Sequence, residues 1–214
     1  FVMVARGDYG TEWLTPTWTL TVEEQFYLIA PVICLLVPRP HLLKALVGLA
    51  MLSIGFRLTS YGFGAIPHMA ANILLPGAAH AMFIGMIAYV LLGDRRLDWG
   101  RLDLAVRCAP VVLLVLVFAI RAVQGEASSW FQMFGVPLVS IAAAAYLVAI
   151  VRDAPEAASL RGPVLRFLGR LSYGIYLLHM PVLGLLHGLV LGGKPDIGTT
   201  SQLLVTTAAV PFAV

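Results

Sequence analysis

Apolar stretches of about twenty residues recur along this chain, and they constrain its fold more than any other feature. A bilayer core about 30 Å thick requires roughly 20 mainly apolar residues per helix. The stretches lack the alternation of polar and apolar residues that a membrane barrel requires. We therefore expect an all-α, polytopic transmembrane helical bundle with about seven spans, of which the second is short and the last ends with the chain. The stretches are Thr21–Val37, Leu42–Phe56, Met69–Leu92, Leu104–Ile120, Trp130–Val151, Leu171–Leu191 and Ser201–Val214.

The composition excludes a water-soluble domain and argues against a nucleic-acid partner. Of 214 residues, 60% are hydrophobic and 12% are charged, whereas a soluble domain has roughly 25% charged residues. So few charges cannot cover the surface of a chain this long, so lipid must cover much of it. The formal net charge of +3 is too weak a field to attract nucleic acid. The membrane is the expected partner.

Neither the cysteines nor the histidines indicate a metal site or a bound cofactor. Cys34 and Cys108 lie among apolar residues, where a thiol behaves as a small hydrophobe. The chain contains no disulfide framework, no zinc-ligand spacing and no glycine-rich phosphate loop. We expect no metal.

Four prolines fall within the apolar stretches, namely Pro31, Pro76, Pro137 and Pro181. Membrane helices tolerate proline when neighbouring groups satisfy the freed carbonyls. These positions therefore predict kinks. The chain shows no internal repeat and no second domain.

The distribution of basic residues predicts the orientation of the spans. Short cytoplasmic loops concentrate Lys and Arg, and alternate joins divide them ten against four. The ten-residue side is predicted to be cytoplasmic, which places residues 1–20 and residue 1 outside and residue 214 toward the cytoplasm. Arg57 could instead face inward within the second span. The ten are Arg39, Lys44, Arg95, Arg96, Arg101, Arg107, Arg152, Arg161, Arg166 and Arg170, and the four are Arg6, Arg57, Arg121 and Lys194.

Residues 152–170 form a basic segment that we predict to be a cytoplasmic loop. Its leucines and valine are spaced for an amphipathic turn or two. It is interpreted either as an interfacial helix anchored to anionic lipid or as a landing surface for an anionic cytoplasmic donor. Under the second interpretation, Arg166 and Arg170 share one helical face.

Glu23 is the first candidate for chemistry. Ionisable groups within a membrane are costly and indicate function by default. The run Trp18-Thr19-Leu20-Thr21-Val22-Glu23-Glu24-Gln25-Phe26-Tyr27-Leu28 also permits a structural role, in which a threonine caps the helix and the acids complement its dipole. That role suffices for Glu24. Glu23, however, could point inward beside Phe26 and Tyr27.

A polar stripe in the sixth span is the second candidate. Spacings of four and three place Ser172, Tyr176 and His179 on one helical face. A stripe of this kind is expected to face the bundle, either as a hydrogen-bonding seam between helices or as part of a functional site. His80 is expected at a depth comparable to that of His179.

These two segments resemble a known family. The run from Trp18 to Leu28 is similar to the Trp-Ser-Leu-x-Val-Glu-x-x-Phe-Tyr-Leu signature of the acyltransferase-3 family of membrane acyltransferases. The run Leu168-Gly169-Arg170-Leu171-Ser172-Tyr173-Gly174-Ile175-Tyr176-Leu177-Leu178-His179 resembles the second hallmark of that family. Family members have about ten membrane helices with both ends in the cytoplasm, so seven spans that start outside match helices four to ten.

The resemblance implies an enzyme that moves an acyl group, typically acetyl, from acyl-CoA to a hydroxyl of a carbohydrate or another cell-envelope acceptor. It further implies a multi-pass protein of a bacterial inner or plasma membrane, with acyl-CoA as donor substrate and no bound cofactor. Catalytic roles are implied for Glu23 and His179. Substrate-binding roles are proposed for Trp18, Phe26, Tyr27, Ser172, Tyr173, Tyr176, Arg166 and Arg170.

The chain also departs from the family pattern. Thr19 replaces the usual serine and keeps the hydroxyl, whereas Ala78 and His80 stand where the family often has an Arg-x-Asp pair. The principal catalytic histidine of the family would precede Phe1, and its usual C-terminal acid would follow Val214. We therefore expect an incomplete chain that is inactive alone, with the missing imidazole as general base or acyl carrier and Glu23 as its partner.

Two other classes remain open on the residues alone. Polar stripes, kinked helices and histidines near the membrane midplane also suit a transporter of a small solute. A non-catalytic membrane scaffold is the third possibility, although it gives Glu23 and the tyrosine-histidine stripe little purpose. The acceptor, the acyl chain and the oligomeric state are not specified by the sequence.

Overall fold

The computed structural model of the chain describes residues 18–64, 67–94, 97–124, 129–152, 162–192, 201–202 and 204–207. These residues are 92% helical and include no strand. The predicted all-α class is confirmed. The helices are α1 (Trp18–Leu36), α2 (Arg39–Phe63), α3 (His68–Ile73), α4 (Leu75–Ala78), α5 (His80–Gly93), α6 (Trp99–Gln124), α7 (Val136–Val151) and α8 (Pro163–Leu191), and a π-helical segment, Phe131–Gly135, leads directly into α7.

Five helical segments in the described part of the chain are long and apolar enough to cross a membrane. They are α1, α2, α6, the π segment together with α7, and α8, with mean hydropathy between 1.4 and 2.3. The second span is not short as predicted, because α2 begins at Arg39, before the predicted Leu42, and continues past Phe56 to Phe63, so it reaches 25 residues. The helix α5 is apolar but shorter. Of the seventh predicted span, only residues 201–202 and 204–207 are described, and they are helical. Seven spans remain a prediction.

The chain divides into two compact units. The first unit comprises residues 1–20 and 158–214, and the second comprises residues 21–157. The boundary falls inside α1, whose first turn belongs to the first unit. In the second unit, α7 packs against α6 and α5, and α5 packs against α2. Small buried residues on α7, Ala142, Ala144 and Ala149, allow close approach of neighbouring helices, as is usual in membrane bundles.

The predicted capping role of the threonines and acids in the first signature is wrong. Thr19 and Thr21 lie inside α1, which includes Trp18, and the first turn of α1 contains no acidic residue. The electrostatic effect of the helix dipole falls off within the first turn. Glu23 and Glu24 therefore need another explanation.

The prolines divide into two classes. Pro31 and Pro181 lie inside α1 and α8, which continue through them. Pro76 and Pro137 instead stand in the first turns of α4 and α7. Pro76 follows the extended Leu74, where its missing N–H would have no intrahelical partner, and Pro137 is the second residue of α7, which follows the π segment directly.

The third predicted span, Met69–Leu92, is not one helix. It is broken at Leu74, which is extended with ψ of 141°, and again at Ala79. The break forms α3, α4 and α5 from what the hydropathy pattern presents as a single stretch. Discontinuous membrane helices require side chains from elsewhere to satisfy the freed backbone groups.

Gly77 permits this break because the chain packs backbone against backbone there. A Cβ added at Gly77 would lie 2.5 Å from both the Cα and the carbonyl oxygen of Ala71. We therefore expect Gly77→Ala to lower the unfolding free energy of the full-length protein by about 1–3 kcal/mol, as overpacking does. The measurement is the thermal unfolding transition in detergent.

Gly85→Ala is the matched control for that substitution. Gly85 lies in α5, and a Cβ there would meet nothing within 4 Å. Alanine favours a helix interior over glycine by roughly 0.5–1 kcal/mol, so this variant should be as stable as the parent or more stable. Equal melting of both variants would contradict the close approach at Gly77.

The basic segment at residues 152–170 is only partly a separate element. Residues 153–161 lie outside the described residues, but Pro163 to Arg170 form the first two turns of α8 and continue without interruption into the membrane-spanning helix. Arg166 and Arg170 are exposed and share a helical face, as predicted. The leucine and valine spacing in this part of the chain therefore belongs to the start of a spanning helix and not to a separate interfacial one.

Candidate functional site

The broken segment is held by polar side chains from the two preceding helices. Gln25 of α1 accepts a hydrogen bond at Oε1 from the backbone N–H of Leu75, at 3.3 Å. Ser53 of α2 accepts one at Oγ from the backbone N–H of His80, at 2.9 Å. These N–H groups begin α4 and α5, where no intrahelical acceptor is available. Each break is therefore capped from a neighbouring helix.

Arg57 connects the broken segment to the π segment. Its side chain is buried, with 3% exposure. Nη1 donates to the carbonyl oxygen of Ala71 at 3.2 Å, Nε donates to the carbonyl oxygen of Gln132 at 2.5 Å, and Nη2 donates to Gln132 Oε1 at 2.7 Å. The guanidinium also lies over the Tyr61 ring, 5.1 Å from its centroid. A buried cation in a membrane helix thus binds carbonyls that irregular backbone leaves available.

The sequence counted Arg57 with the residues outside the membrane, and the structure places it in the bundle. The alternative that Arg57 faces inward is the correct one, and it leaves three basic residues on the side that is predicted to be non-cytoplasmic. The sequence did contain a pattern that predicts the inward orientation of Arg57. Ser53, Arg57 and Ser60, all buried, are separated by four and three residues, so they share one face of α2.

His80 stands at the start of α5, deep in the second unit. It is 2% exposed, and its Nδ1 lies 3.5 Å from Ser53 Oγ. Its other ring nitrogen, Nε2, is buried and has no hydrogen-bond partner among the described residues. Buried polar atoms in proteins are nearly always paired, and His80 Nε2 and His187 Nδ1 are the exceptions among the described side chains.

The first signature presents two faces of α1. Val22 and Phe26 are buried, and the Phe26 ring packs edge-on against Phe83 of α5, with centroids 5.4 Å apart. Glu23 and Tyr27 form the other face: Glu23 is half-buried, and the Tyr27 hydroxyl lies 3.5 Å from Glu23 Oε2. One face anchors the broken segment, while the other presents a carboxylate beside a phenol.

The second hallmark is organised within the first unit by Tyr176. The Tyr176 hydroxyl is hydrogen-bonded to Thr19 Oγ1, which joins the two signature motifs. His179 lies beside it, with ring centroids 5.8 Å apart. His179 Nδ1 is 2.6 Å from the carbonyl oxygen of Tyr176, and a carbonyl only accepts, so Nδ1 carries the proton. In the neutral ring, Nε2 then holds a lone pair that can accept a proton.

Of the predicted polar stripe, Ser172 bonds only within its own helix. The Ser172 hydroxyl donates to the carbonyl of Gly169 in the preceding turn at 2.9 Å and is exposed. A serine hydroxyl commonly bonds to a carbonyl of its own helix in this way, so Ser172 makes no hydrogen bond to Tyr176 or His179. Tyr173 is 61% exposed. Trp18 lies at the start of α1, but its side chain lies outside the described residues.

His187 is a second buried histidine and lies on α8. It is fully buried in the first unit, and its Nε2 lies 3.0 Å from Thr206 Oγ1. This contact ties α8 to the helical residues 204–207. Within the described residues, no group of three His, Cys, Asp or Glu side chains is placed to hold a metal ion.

The long apolar helices indicate an integral membrane protein. Inside it, buried polar groups cap a broken helix, and the two signature motifs present a carboxylate and an imidazole. The acyltransferase-3 model, described as an acyltransferase domain, matches residues 4–214. The chain belongs to this family.

Curated relatives carry a consistent name. Three proteins from Staphylococcus aureus strains COL, MSSA476 and MRSA252, each named "Putative O-acetyltransferase", are 24% identical over 190 residues. The match covers 83% of this chain and 31% of each relative, so the chain spans about a third of their length. No solved structure matches it.

Proposed function

We propose that the whole protein transfers an acyl group, typically acetyl, from acyl-CoA to a hydroxyl of a carbohydrate or another cell-envelope acceptor. The observation that carries this proposal is the presence of both signature motifs, in order, in a chain of the acyltransferase family. The names of the relatives favour an oxygen acceptor and an acetyl group. Acyl-CoA is a substrate here, not a resident cofactor.

The reaction needs a base for the acceptor hydroxyl and an acid for the leaving thiol. A general base would take the hydroxyl proton, the oxygen would form the new ester bond with the acyl carbon, and the carbon–sulfur bond would break. The proton would pass to the departing thiolate, so charge and atoms balance. An imidazole suits this exchange because its pKa lies near neutrality.

Glu23 and His179 support this chemistry in different ways. Glu23 offsets the positive charge that the base acquires, as the third member of a catalytic triad does. His179, with its Nδ1–H held by a carbonyl, offers Nε2 as an acceptor for a substrate hydroxyl. Trp18, Phe26, Tyr27, Ser172, Tyr173 and Tyr176 are proposed to shape the acceptor site.

Arg166 and Arg170 are proposed to receive the donor on the cytoplasmic side. Both are exposed in the first two turns of α8, and their four-residue spacing presents two guanidinium groups along one face. Guanidinium groups bind phosphate through paired hydrogen bonds. This arrangement suits the phosphates of a coenzyme A donor, with residue 1 outside a bacterial inner membrane and residue 214 inside.

Reconstitution of the full-length protein tests the proposed function. Purified protein in vesicles is supplied with acetyl-CoA that carries a radiolabelled acetyl group and with a mixture of cell-envelope glycans. It should release one free coenzyme A for each labelled acetyl group that appears on the glycans. The transporter alternative predicts flux of an unmodified solute without consumption of the thioester. Flux without labelling would overturn the proposal.

A further inference from the structure

A narrow groove lies between α5 and α6 in the second unit. Both helices pack against α7, whose small residues Ala144 and Ala145 contribute to the lining, and a volume of about 210 Å³ remains open along the three helices. The lining is apolar throughout. An occupant of this groove therefore has to be apolar along its whole length.

The groove follows the helices over about two turns. Its lining on α7 extends from Ile141 through Ala145 to Val148, and its lining on α5 extends from Ile84 to Leu91. Each stretch is roughly 10 Å long at the rise of an α-helix, so the groove has a cross-section of roughly 20 Å². That width admits one alkyl chain and excludes a helix, which is about 10 Å across. Its length covers most of one leaflet, since half of a bilayer core is about 15 Å thick.

Trp99 and Arg152 stand at one end of the groove. Trp99 is part of the lining, and the Arg152 guanidinium lies over the Trp99 ring, 4.6 Å from its centroid. Arg152 follows Val148 by four residues, so it continues the α7 face that lines the groove. Tryptophan in membrane proteins is enriched at the level of the lipid headgroups. The groove thus extends from the headgroup level into the hydrocarbon.

Arg152 brings a positive charge to this end of the groove. Among the residues that the structure describes, no carboxylate pairs with Arg152 and no oxygen accepts a hydrogen bond from its guanidinium group. A guanidinium group presents five N–H donors in a planar fork that matches phosphate oxygens. The end of the groove is therefore complementary to a phosphate, and the rest of it is complementary to an alkyl chain.

We propose that this groove binds one anionic phospholipid of the surrounding membrane, with an acyl chain between α5 and α6 and the headgroup phosphate on Arg152. The width of the groove, its apolar lining and the tryptophan and cation at its end match the parts of a phospholipid in their order from chain to headgroup. Basic residues beside grooves between membrane helices bind anionic headgroups in this way. The groove shares no residue with either signature motif, so this site goes beyond the proposed function and does not depend on it.

Photolabelling of the full-length protein in vesicles locates the bound chain. The probe is phosphatidylglycerol with a diazirine halfway along one acyl chain, present as a trace in phosphatidylcholine. Label should concentrate on peptides that contain Ile84 and Ile141, at the deep end of the groove. Replacing the phosphatidylcholine with unlabelled phosphatidylglycerol should lower that label about fivefold, the preference that one arginine gives to an anionic lipid. Label spread evenly over the apolar helices would overturn the proposal.

Two variants, Ala88→Leu and Ala145→Leu, fill the groove from different helices. Both alanines line the groove and are half-buried, so a leucine at either position occupies the space of the lipid chain. The label at the groove should fall to the level found on the other apolar helices. Ala81→Leu and Ala143→Leu are the matched controls, because both alanines are exposed on the same two helices and lie outside the groove. Their label should stay within about twofold of the parent.

Arg152→Gln tests the phosphate contact without filling the groove. The glutamine keeps a polar side chain but loses the charge, so the preference for phosphatidylglycerol over phosphatidylcholine should disappear while the total label at the groove from both lipids persists. Arg107→Gln is the control, because Arg107 is already paired with Asp103, and it should keep the preference. A preference that survives Arg152→Gln, or label that survives both filling variants, would overturn the proposal.

A photoactivatable octanoyl-CoA separates the membrane lipid from the acyl donor. Label at Ile84 and Ile141 from this thioester, with none from the phospholipid, would assign the groove to the donor and overturn the proposal. Release of coenzyme A is measured in the same vesicles. Lipid labelling at the groove without acyl transfer would support the lipid site and count against the proposed function, whereas acyl transfer without labelling there would do the reverse.

Discussion

Glu23→Gln in the full-length protein should reduce acyl transfer by at least about a hundredfold while membrane insertion and thermal stability stay at the parental level. The amide keeps the size of the side chain and loses the negative charge that is proposed to offset a protonated base, and acid–base partners contribute roughly 10²–10⁴-fold. The half-buried carboxylate lies beside the Tyr27 hydroxyl. The measurement is the release of coenzyme A in reconstituted vesicles.

Glu24→Gln is the matched control, because it removes the same charge one residue away. Glu24 is exposed and lies beyond the first turn of α1, where the helix dipole no longer favours an acid. Its transfer rate should remain within about twofold of the parent by that argument. Normal turnover in the Glu23 variant would exclude a role for that carboxylate in the reaction.

Arg57→Met should cause the largest loss of stability among substitutions in the second unit. The methionine fills similar space, but the carbonyls of Ala71 and Gln132 and the Gln132 amide oxygen lose the donor that the structure gives them. Each buried acceptor left without a partner costs about 1–3 kcal/mol. We expect a total of about 3 kcal/mol or more, measured from unfolding of the full-length protein in mixed micelles.

Arg107→Met provides the comparison for that variant. Arg107 pairs with Asp103 one turn away at 3.2 Å, and both side chains are partly exposed, at 35% and 46%. Exposed pairs at this spacing contribute about 0.3–0.5 kcal/mol, so the loss should be several times smaller. Arg57→Lys should fall between the two, because an ammonium cannot reach the same acceptors with a planar fork. Equal stability of all three variants would contradict the bridging role of Arg57.

The bridging role explains how an arginine is accommodated in an apolar helix. Breaking the third span leaves the Ala71 carbonyl without the partner it would have in a continuous helix, because the N–H of Leu75 turns to Gln25. The π segment offers the Gln132 carbonyl in the same region of the second unit. Irregular backbone and buried cation stabilise each other, so neither would be expected alone.

The helices and motifs of the site could be predicted from the sequence, but the hydrogen-bond partners of its side chains could not. Hydropathy identified the spans around α1, α6, α7 and α8, and the two signature motifs identified the family. The spacing of Ser172, Tyr176 and His179 predicted one face, but the Ser172 hydroxyl bonds to the Gly169 carbonyl of its own helix and does not bond to a neighbouring helix. Spacing specifies an angle around a helix axis and does not specify which hydrogen bond a side chain prefers.

The helical class, the membrane location and the acyltransferase-3 family could all be read from the amino-acid sequence, because apolar length and the two motifs are local properties that need no partner. The helix packing was needed to show that Met69–Leu92 is broken, that Arg57 lies inside the bundle, and that His80 Nε2 has no partner among the described residues. Those outcomes depend on Gln25, Ser53 and Gln132, which come from distant positions in the chain. A backbone N–H or carbonyl in a membrane must find a partner, and which partner it finds is set by packing.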